Sequence, residues 1–164
     1  MSRAFVKEGS GELEPLPDLP ISPHPNYVTW RGLALLQARL SEAQAILVQL
    51  RARAERLDKL PEAAAERDIR YVEARLKTAV LVDAAKHGTD TVAFGHAVTV
   101  RDDQSRDTTY QITGEDEADA NHHRIAPQSP LARALLGAAV GDLVTWKRPS
   151  GTIELEVTAI QCPA

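Results

Sequence analysis

The stretch from Leu33 to Asp83 restricts this chain more than any other part, because its apolar residues follow a helical seam on both sides of a short break. Leu33, Leu36, Leu40, Ala43, Leu47, Leu50, Ala54 and Leu57 recur at alternating spacings of three and four. That is the a/d pattern of a coiled coil, a stripe too narrow for a helix lying on a globular core. After the break at Asp58-Lys59-Leu60-Pro61 the spacing resumes through Ala65, Ile69, Val72, Leu76 and Ala79. Two seams joined by so short a turn meet only antiparallel, so the pattern predicts a coiled-coil hairpin. Thr29 is the expected N-cap of a first helix running to Leu57 or Asp58, a rod of roughly 40 Å. Pro61 suits the first position of a second helix, where its missing N–H has no partner to lose, and that helix is expected to end near Asp83.

The flanks read differently. Residues 1–28 contain Gly9, Gly11, Pro15, Pro17, Pro20, Pro23 and Pro25, a density that excludes a helix or a central strand and predicts an extended arm. Ile21 and Tyr27 are the residues able to pin its end to the folded part. From Thr91 the period shortens. Val92, Phe94, Val98 and Val100, then Thr108 to Thr113, predict a β-hairpin around the polar turn Arg101 to Asp107. Arg124 to Ala126 reads as a short strand. Ser129-Pro130 before Leu131 and Gly137 after Leu136 bracket a two-turn helix. Two closing strands, Leu143 to Lys147 and Thr152 to Ile160, turn at Pro149-Ser150-Gly151. The expected fold is α+β: a helical hairpin, then a twisted antiparallel sheet carrying one short helix.

Totals exclude several functions. With 164 residues there is room for one small domain and an extension. A net charge of −4 leaves no cationic excess for phosphates, which argues against direct nucleic-acid binding. Cys162 is the single cysteine, so neither a disulfide framework nor a thiolate metal site is available and a reducing compartment is expected. No apolar run is long enough to span a bilayer, and the first residues lack the core of a signal peptide. A cytoplasmic location follows as the expectation.

Few residues invite chemistry. Glu115, Asp116, Glu117 and Asp119 with His122 and His123 fit no EF-hand spacing and no helical zinc pair, and read as a solvated acidic turn. Ser129 lacks the glycine-flanked elbow of a nucleophile and reads as a cap. His24, His87 and His96 have no partners in sequence, and no glycine-rich phosphate loop is present. Glu55, Asp58 and Glu62 cluster at the hairpin tip beside Arg56 and Lys59. Carboxylates on a protruding tip can lend oxygens to a metal held by another molecule, although a solvated tip is often charged for no further reason.

Val28-Thr29-Trp30-Arg31-Gly32-Leu33, Val92 to Val100, Tyr110 to Asp119, Ser129 to Gly137 and Val140-Gly141-Asp142 occur in an order that is similar to one known family. The chain resembles the GreA/GreB transcript-cleavage and elongation factors of bacterial RNA polymerase, in a GreB-like branch with a shortened coiled coil. The resemblance implies an N-terminal antiparallel coiled coil and a C-terminal domain like FK506-binding proteins. It implies docking of that domain at the rim of the polymerase secondary channel through Ser129, Pro130, Leu131, Ala132 and Arg133, with the coiled coil pointing into the channel. In the family, tip carboxylates help hold the polymerase's second Mg²⁺. This chain departs there: Glu55-Arg56-Leu57-Asp58-Lys59-Leu60-Pro61-Glu62 replaces the family's tip motif, and the hairpin is about two turns shorter per arm, or roughly 10 Å of reach.

The resulting expectation divides the chain into an arm over 1–28, a hairpin over 29–84 and a polymerase-binding domain over 90–162. The protein is expected to be a non-enzymatic elongation regulator, acting as a monomer, with RNA polymerase as partner. Nucleic acid is met only through the polymerase complex, no membrane is involved, and no cofactor or metal is held by the chain itself. A true cleavage stimulator using Asp58 with Glu55 or Glu62 is the alternative. A prolyl isomerase ranks last, because Phe94, Tyr110 and Trp146 are few aromatics for a proline pocket.

Overall fold

Thr29 starts the first helix as its place before the apolar seam implies. Its hydroxyl accepts the Gly32 N–H at 2.9 Å, satisfying one of the free donors at the helix start. The computed structural model describes residues 14–163. The first part of the expected arm, with Gly9 and Gly11, lies outside the described residues. Helix α1 spans Trp30–Arg51 and α2 spans Leu60–Thr78, with Pro61 in the first turn of α2. The ion pairs Arg39–Asp68 and Arg51–Glu66 run in opposite directions along the two helices, so the hairpin is antiparallel. Leu36, Ala43 and Leu47 of α1 are buried against Ala65 and Val72 of α2, all of them seam positions.

Both helices are shorter than their apolar spacing predicts. α1 stops at Arg51, and residues 52–59 form the irregular tip, with Leu57 92% exposed. An a/d residue is buried only where a partner helix faces it, and α2 begins at Leu60. The residues needed to reverse the chain are therefore taken from the end of α1. α2 ends at Thr78 rather than Asp83 for a different reason. The Asn26 side chain donates to the Arg75 carbonyl at 2.8 Å and to the Thr78 hydroxyl at 3.2 Å, capping the last turn from outside.

The chain then leaves as strand β2 (Val80–Leu81), paired in parallel with β1 (Tyr27–Val28). The arm is thus tied where it enters α1. Tyr27 packs its ring against Phe94 at 5.9 Å between centroids. Ile21 is 47% exposed and pins nothing. Polar contacts hold the rest of the described arm: Arg70 of α2 donates to Asp18 at 2.6 Å and to the Leu16 carbonyl at 3.0 Å.

Strands β3 (Ala97–Arg101), β4 (Asp107–Ile112), β5 (Arg124–Ile125), β6 (Leu143–Arg148) and β7 (Gly151–Gln161) form one sheet in the order β5-β4-β3-β7-β6. Every pairing is antiparallel except the two-residue parallel contact of β5 with β4, so the sheet is mixed at one edge. Val92 and Phe94 fall outside the strands, because Gly95 at φ +88° turns the chain before β3 begins. A bulge between Thr99 and Val100 bends β3 against β7. Helix α3 (Pro130–Leu135) lays Leu131 and Leu135, 2% and 0% exposed, on the sheet. Burying two such side chains contributes about 1.5–3 kcal/mol each.

Gly114 follows β4 at the point where the sheet domain meets the arm. A Cβ there would lie 2.5 Å from the Tyr27 carbonyl oxygen, a backbone atom that cannot swing away. Gly114→Ala is expected to cost about 1–3 kcal/mol of stability, read as a lower urea midpoint in circular dichroism.

Candidate functional site

The acidic stretch after Gly114 is not the solvated turn that its composition suggests. Arg75 of α2 is 1% exposed, and its guanidinium is held by groups from two other segments. Nε donates to Asp116 at 2.6 Å and a terminal nitrogen donates to the Asn26 side-chain oxygen at 2.8 Å. Glu115 stands 3.5 Å from the same guanidinium. Asp116 also accepts from the Tyr71 hydroxyl, and Glu115 accepts from Ser22 at 2.9 Å. Burial together with the Asp116 hydrogen bond pushes the Tyr71 phenol up to about 12.

Glu117 performs the matching task at the start of α1. It is 5% exposed and accepts the Thr29 hydroxyl at 2.5 Å, while Thr29 itself caps the helix. Arg31 lies 3.9 Å from its other oxygen. A Cβ on Gly32 would sit 2.7 Å from Glu117, so the small residue is what allows the carboxylate to approach the helix. Asp119 is spent locally on His122 and the Asn121 N–H. Three of the four acids thus bolt the sheet domain to the base of the hairpin. This cluster was missed in the sequence; the signals able to find it are the concentration of acids after a glycine and an arginine three residues after the seam residue Val72, on the same helix face.

At the tip, the three singled-out carboxylates part company. Asp58 accepts the Leu60 N–H at 2.9 Å and starts α2. Glu62 is 5% exposed and is gripped by Arg56 at 2.5 and 2.8 Å, with Arg53 at 3.8 Å. Arg53 also donates to the Leu50 and Asp58 carbonyls, stitching the turn together. Glu55 and Asp58 are both exposed and without an ion pair among the described residues, Asp58 having one oxygen engaged by the Leu60 N–H. The structure does not bring Glu55, Asp58 and Glu62 together as one set of metal oxygens. Among the described residues no group of three or more histidine, cysteine or acidic side chains is arranged to hold a metal.

The start of α3 separates in the same way. Ser129 accepts the Ala132 N–H at 3.3 Å and donates to the Ala126 carbonyl at 2.7 Å, a cap rather than a nucleophile. Leu131 and Ala132 are core residues, 2% and 0% exposed, and cannot touch a partner through their side chains. Pro130 and Arg133 are exposed beside the half-buried Ser129. Of the histidines, His96 is fully buried with Nδ1 accepting the Ala93 N–H at 3.0 Å, and burial pushes its pKa down.

The chain is similar to known proteins. Residues 86–162 match the family model "Transcription elongation factor, GreA/GreB, C-term". The chain is 39% identical over 95 residues to "Transcription elongation factor GreA" of Thioalkalivibrio sulfidiphilus, covering 57% of this chain and 60% of the relative. It is also 39% identical over 98 residues to the protein of that name in Pseudomonas putida, covering 58% and 61%. The chain therefore spans about three fifths of the length of these curated relatives. The crystal structure of GreA factor homolog 1 of Thermus thermophilus is 25% identical and superposes over 84% of this chain and 99% of its own, with a TM-score of 0.40.

Two predictions follow from this geometry. Asp116→Ala leaves a buried guanidinium with Glu115 as its nearest carboxylate and is expected to destabilise the chain by about 3 kcal/mol in urea unfolding. Arg56 holds the Glu62 carboxyl below its ordinary value of 4.5. A lowered folded-state pKa gives stability that is present above 4.5 and lost as the pH falls through the folded value. Amide exchange at Ala64 and Ala65 is expected to accelerate on acidification in that window, and Glu62→Gln is expected to remove the dependence.

Proposed function

We propose, on the likeness of residues 86–162 to the GreA/GreB C-terminal family model, that this chain is a GreA/GreB-family, RNA-polymerase-binding regulator of transcription elongation that stimulates no transcript cleavage. The sheet domain docks at the rim of the secondary channel, and the hairpin points into the channel. Contact there runs through Pro130 and Arg133 with the half-buried Ser129. Leu131 and Ala132 hold the helix in place from beneath. The chain supplies no active site of its own, and any Mg²⁺ in the complex belongs to the polymerase.

One observation carries the distinction between a regulator and a cleavage factor: Glu62, the buried member of the three tip carboxylates, is already held by two arginines. Ligation of Mg²⁺ requires an oxygen within about 2.1 Å of the ion. Glu62 is buried under two arginines and Asp58 gives one oxygen to the start of α2, which leaves Glu55 and the second Asp58 oxygen free. Freeing Glu62 would expose Arg53 and Arg56 at the place where the metal needs negative charge. The rods are also short, about 33 Å for the 22 residues of α1. The clamp on Arg75 fixes the direction of these rods relative to the docking domain, so the regulator acts by occupying the channel rather than by extending a reactive group into it.

The measurement that decides is transcript shortening in stalled, backtracked polymerase complexes. The expected result is no shortened transcript above the level with polymerase alone, together with competition against an active cleavage factor. Cleavage that disappears in Asp58→Ala or Glu55→Ala would overturn the regulator reading. Pro130→Asp is expected to weaken polymerase binding at least tenfold, since a charge would be pressed into the contact.

A further inference from the structure

The sheet carries a cavity that neither the hairpin nor the start of α3 uses. It measures about 620 Å³, inside the roughly 300–1,000 Å³ range of ligand sites. Its floor is Tyr110, Trp146 and Ile153, backed by the core residues Val100 and Leu155. Tyr110 and Trp146 stand edge to face at 6.2 Å, and Arg148 stacks over the indole at 5.3 Å. Two of the three aromatics of this domain therefore converge, although their small number argued against any such floor. Val100 and Leu155 share one core cluster with Leu131 and Leu135, so the cavity opens on the face of the sheet that α3 covers.

Three features describe what the cavity would accept. Tyr110 is half-buried, and its phenol pKa is raised by burial with no hydrogen bond contributing. Among the described residues its hydroxyl has no hydrogen-bond acceptor, and it opens on the cavity. The rim turn between β3 and β4 carries Asp102, Asp103 and Asp107. Asp102 is paired with Arg106 at 2.8 Å and Asp107 with Arg101 at 2.8 Å, while Asp103 has no ion pair among the described residues. A floor of apolar rings next to an unpaired carboxylate suits an apolar side chain beside a cation. Arg106 and Arg148 also line the cavity, but Arg106 is paired with Asp102 and Arg148 lies over the Trp146 indole, so Asp103 is the carboxylate left for a cation.

We propose that this cavity is a second contact with the polymerase, receiving a loop that lays an apolar side chain on Trp146 and Ile153 and gives a backbone carbonyl to the Tyr110 hydroxyl, with a basic residue meeting Asp103. The proposal rests on the polymerase-binding reading above and extends its interface from the start of α3 across the open end of the sheet. The loop is read as extended backbone, because the Tyr110 donor calls for a carbonyl that a helix would already have paired.

The test is equilibrium binding of the full chain to purified RNA polymerase. Tyr110→Phe removes only an unpartnered hydroxyl, and Asp103→Asn removes only a charge, so both are expected to melt at the temperature of the unaltered chain. Each is expected to weaken polymerase binding about five- to tenfold. Glu154→Gln, on the opposite face of β7, is expected to bind unchanged. Tight binding by the unaltered chain with equally tight binding by Tyr110→Phe and Asp103→Asn overturns the second contact and leaves the polymerase reading intact. No binding by the unaltered chain overturns both.

Discussion

A guanidinium taken out of water loses several kcal/mol of hydration, about as much as any other single cost in a small domain, and has to recover it from hydrogen-bonded anions. Arg75 is in that position. It recovers the loss from Asp116 and Glu115 of the sheet domain and from Asn26 of the arm, so three segments distant in sequence must meet at one point. Once they do, the arm caps α2, β1 pairs with β2, and Gly114 is pressed against the Tyr27 carbonyl. A rod and a sheet that could each fold with its own apolar core are thereby held in one relative direction. Glu117 on Thr29 gives the second fixed point that a single ionic contact could not supply.

The tip of the hairpin obeys the same electrostatics with the opposite consequence. A turn that reverses the chain in eight residues exposes backbone groups, and Arg53 and Asp58 satisfy them. Glu62 lies where α2 is nearly closed against the turn, so its charge is tolerated only with Arg56 and Arg53 beside it. Carboxylates that hold a turn together are not free to hold a metal. Structural use of the acids and catalytic use of the acids compete, and in this hairpin the turn has Glu62 and one oxygen of Asp58.

Much of this was legible in the residues. The a/d spacing gave the hairpin and its seam, Thr29 and Ser129 gave two caps, and Pro130 and Gly137 bracketed α3. Helix ends were less legible. Ala54 and Leu57 continue the seam pattern but face no partner, and nothing local tells a chain how many residues its reversal will consume. The acids at 115–117 were misread for a related reason: a charged loop is solvated unless an opposite charge is brought to it from far away, and Arg75 lies about forty residues earlier, on another element. Of the expected docking set, Leu131 and Ala132 are buried, because a two-turn helix on a sheet must bury such side chains to exist at all.

Local physics therefore determined which segments are helix, strand and turn, since periodicity, capping and proline act over a few residues. Tertiary structure alone decided which charges are free. Whether a carboxylate is a ligand, a cap or a bolt depends on what stands within about 4 Å of it, and for Glu62, Asp116 and Glu117 those neighbours were set by how the hairpin closes and by how the sheet domain seats on its base.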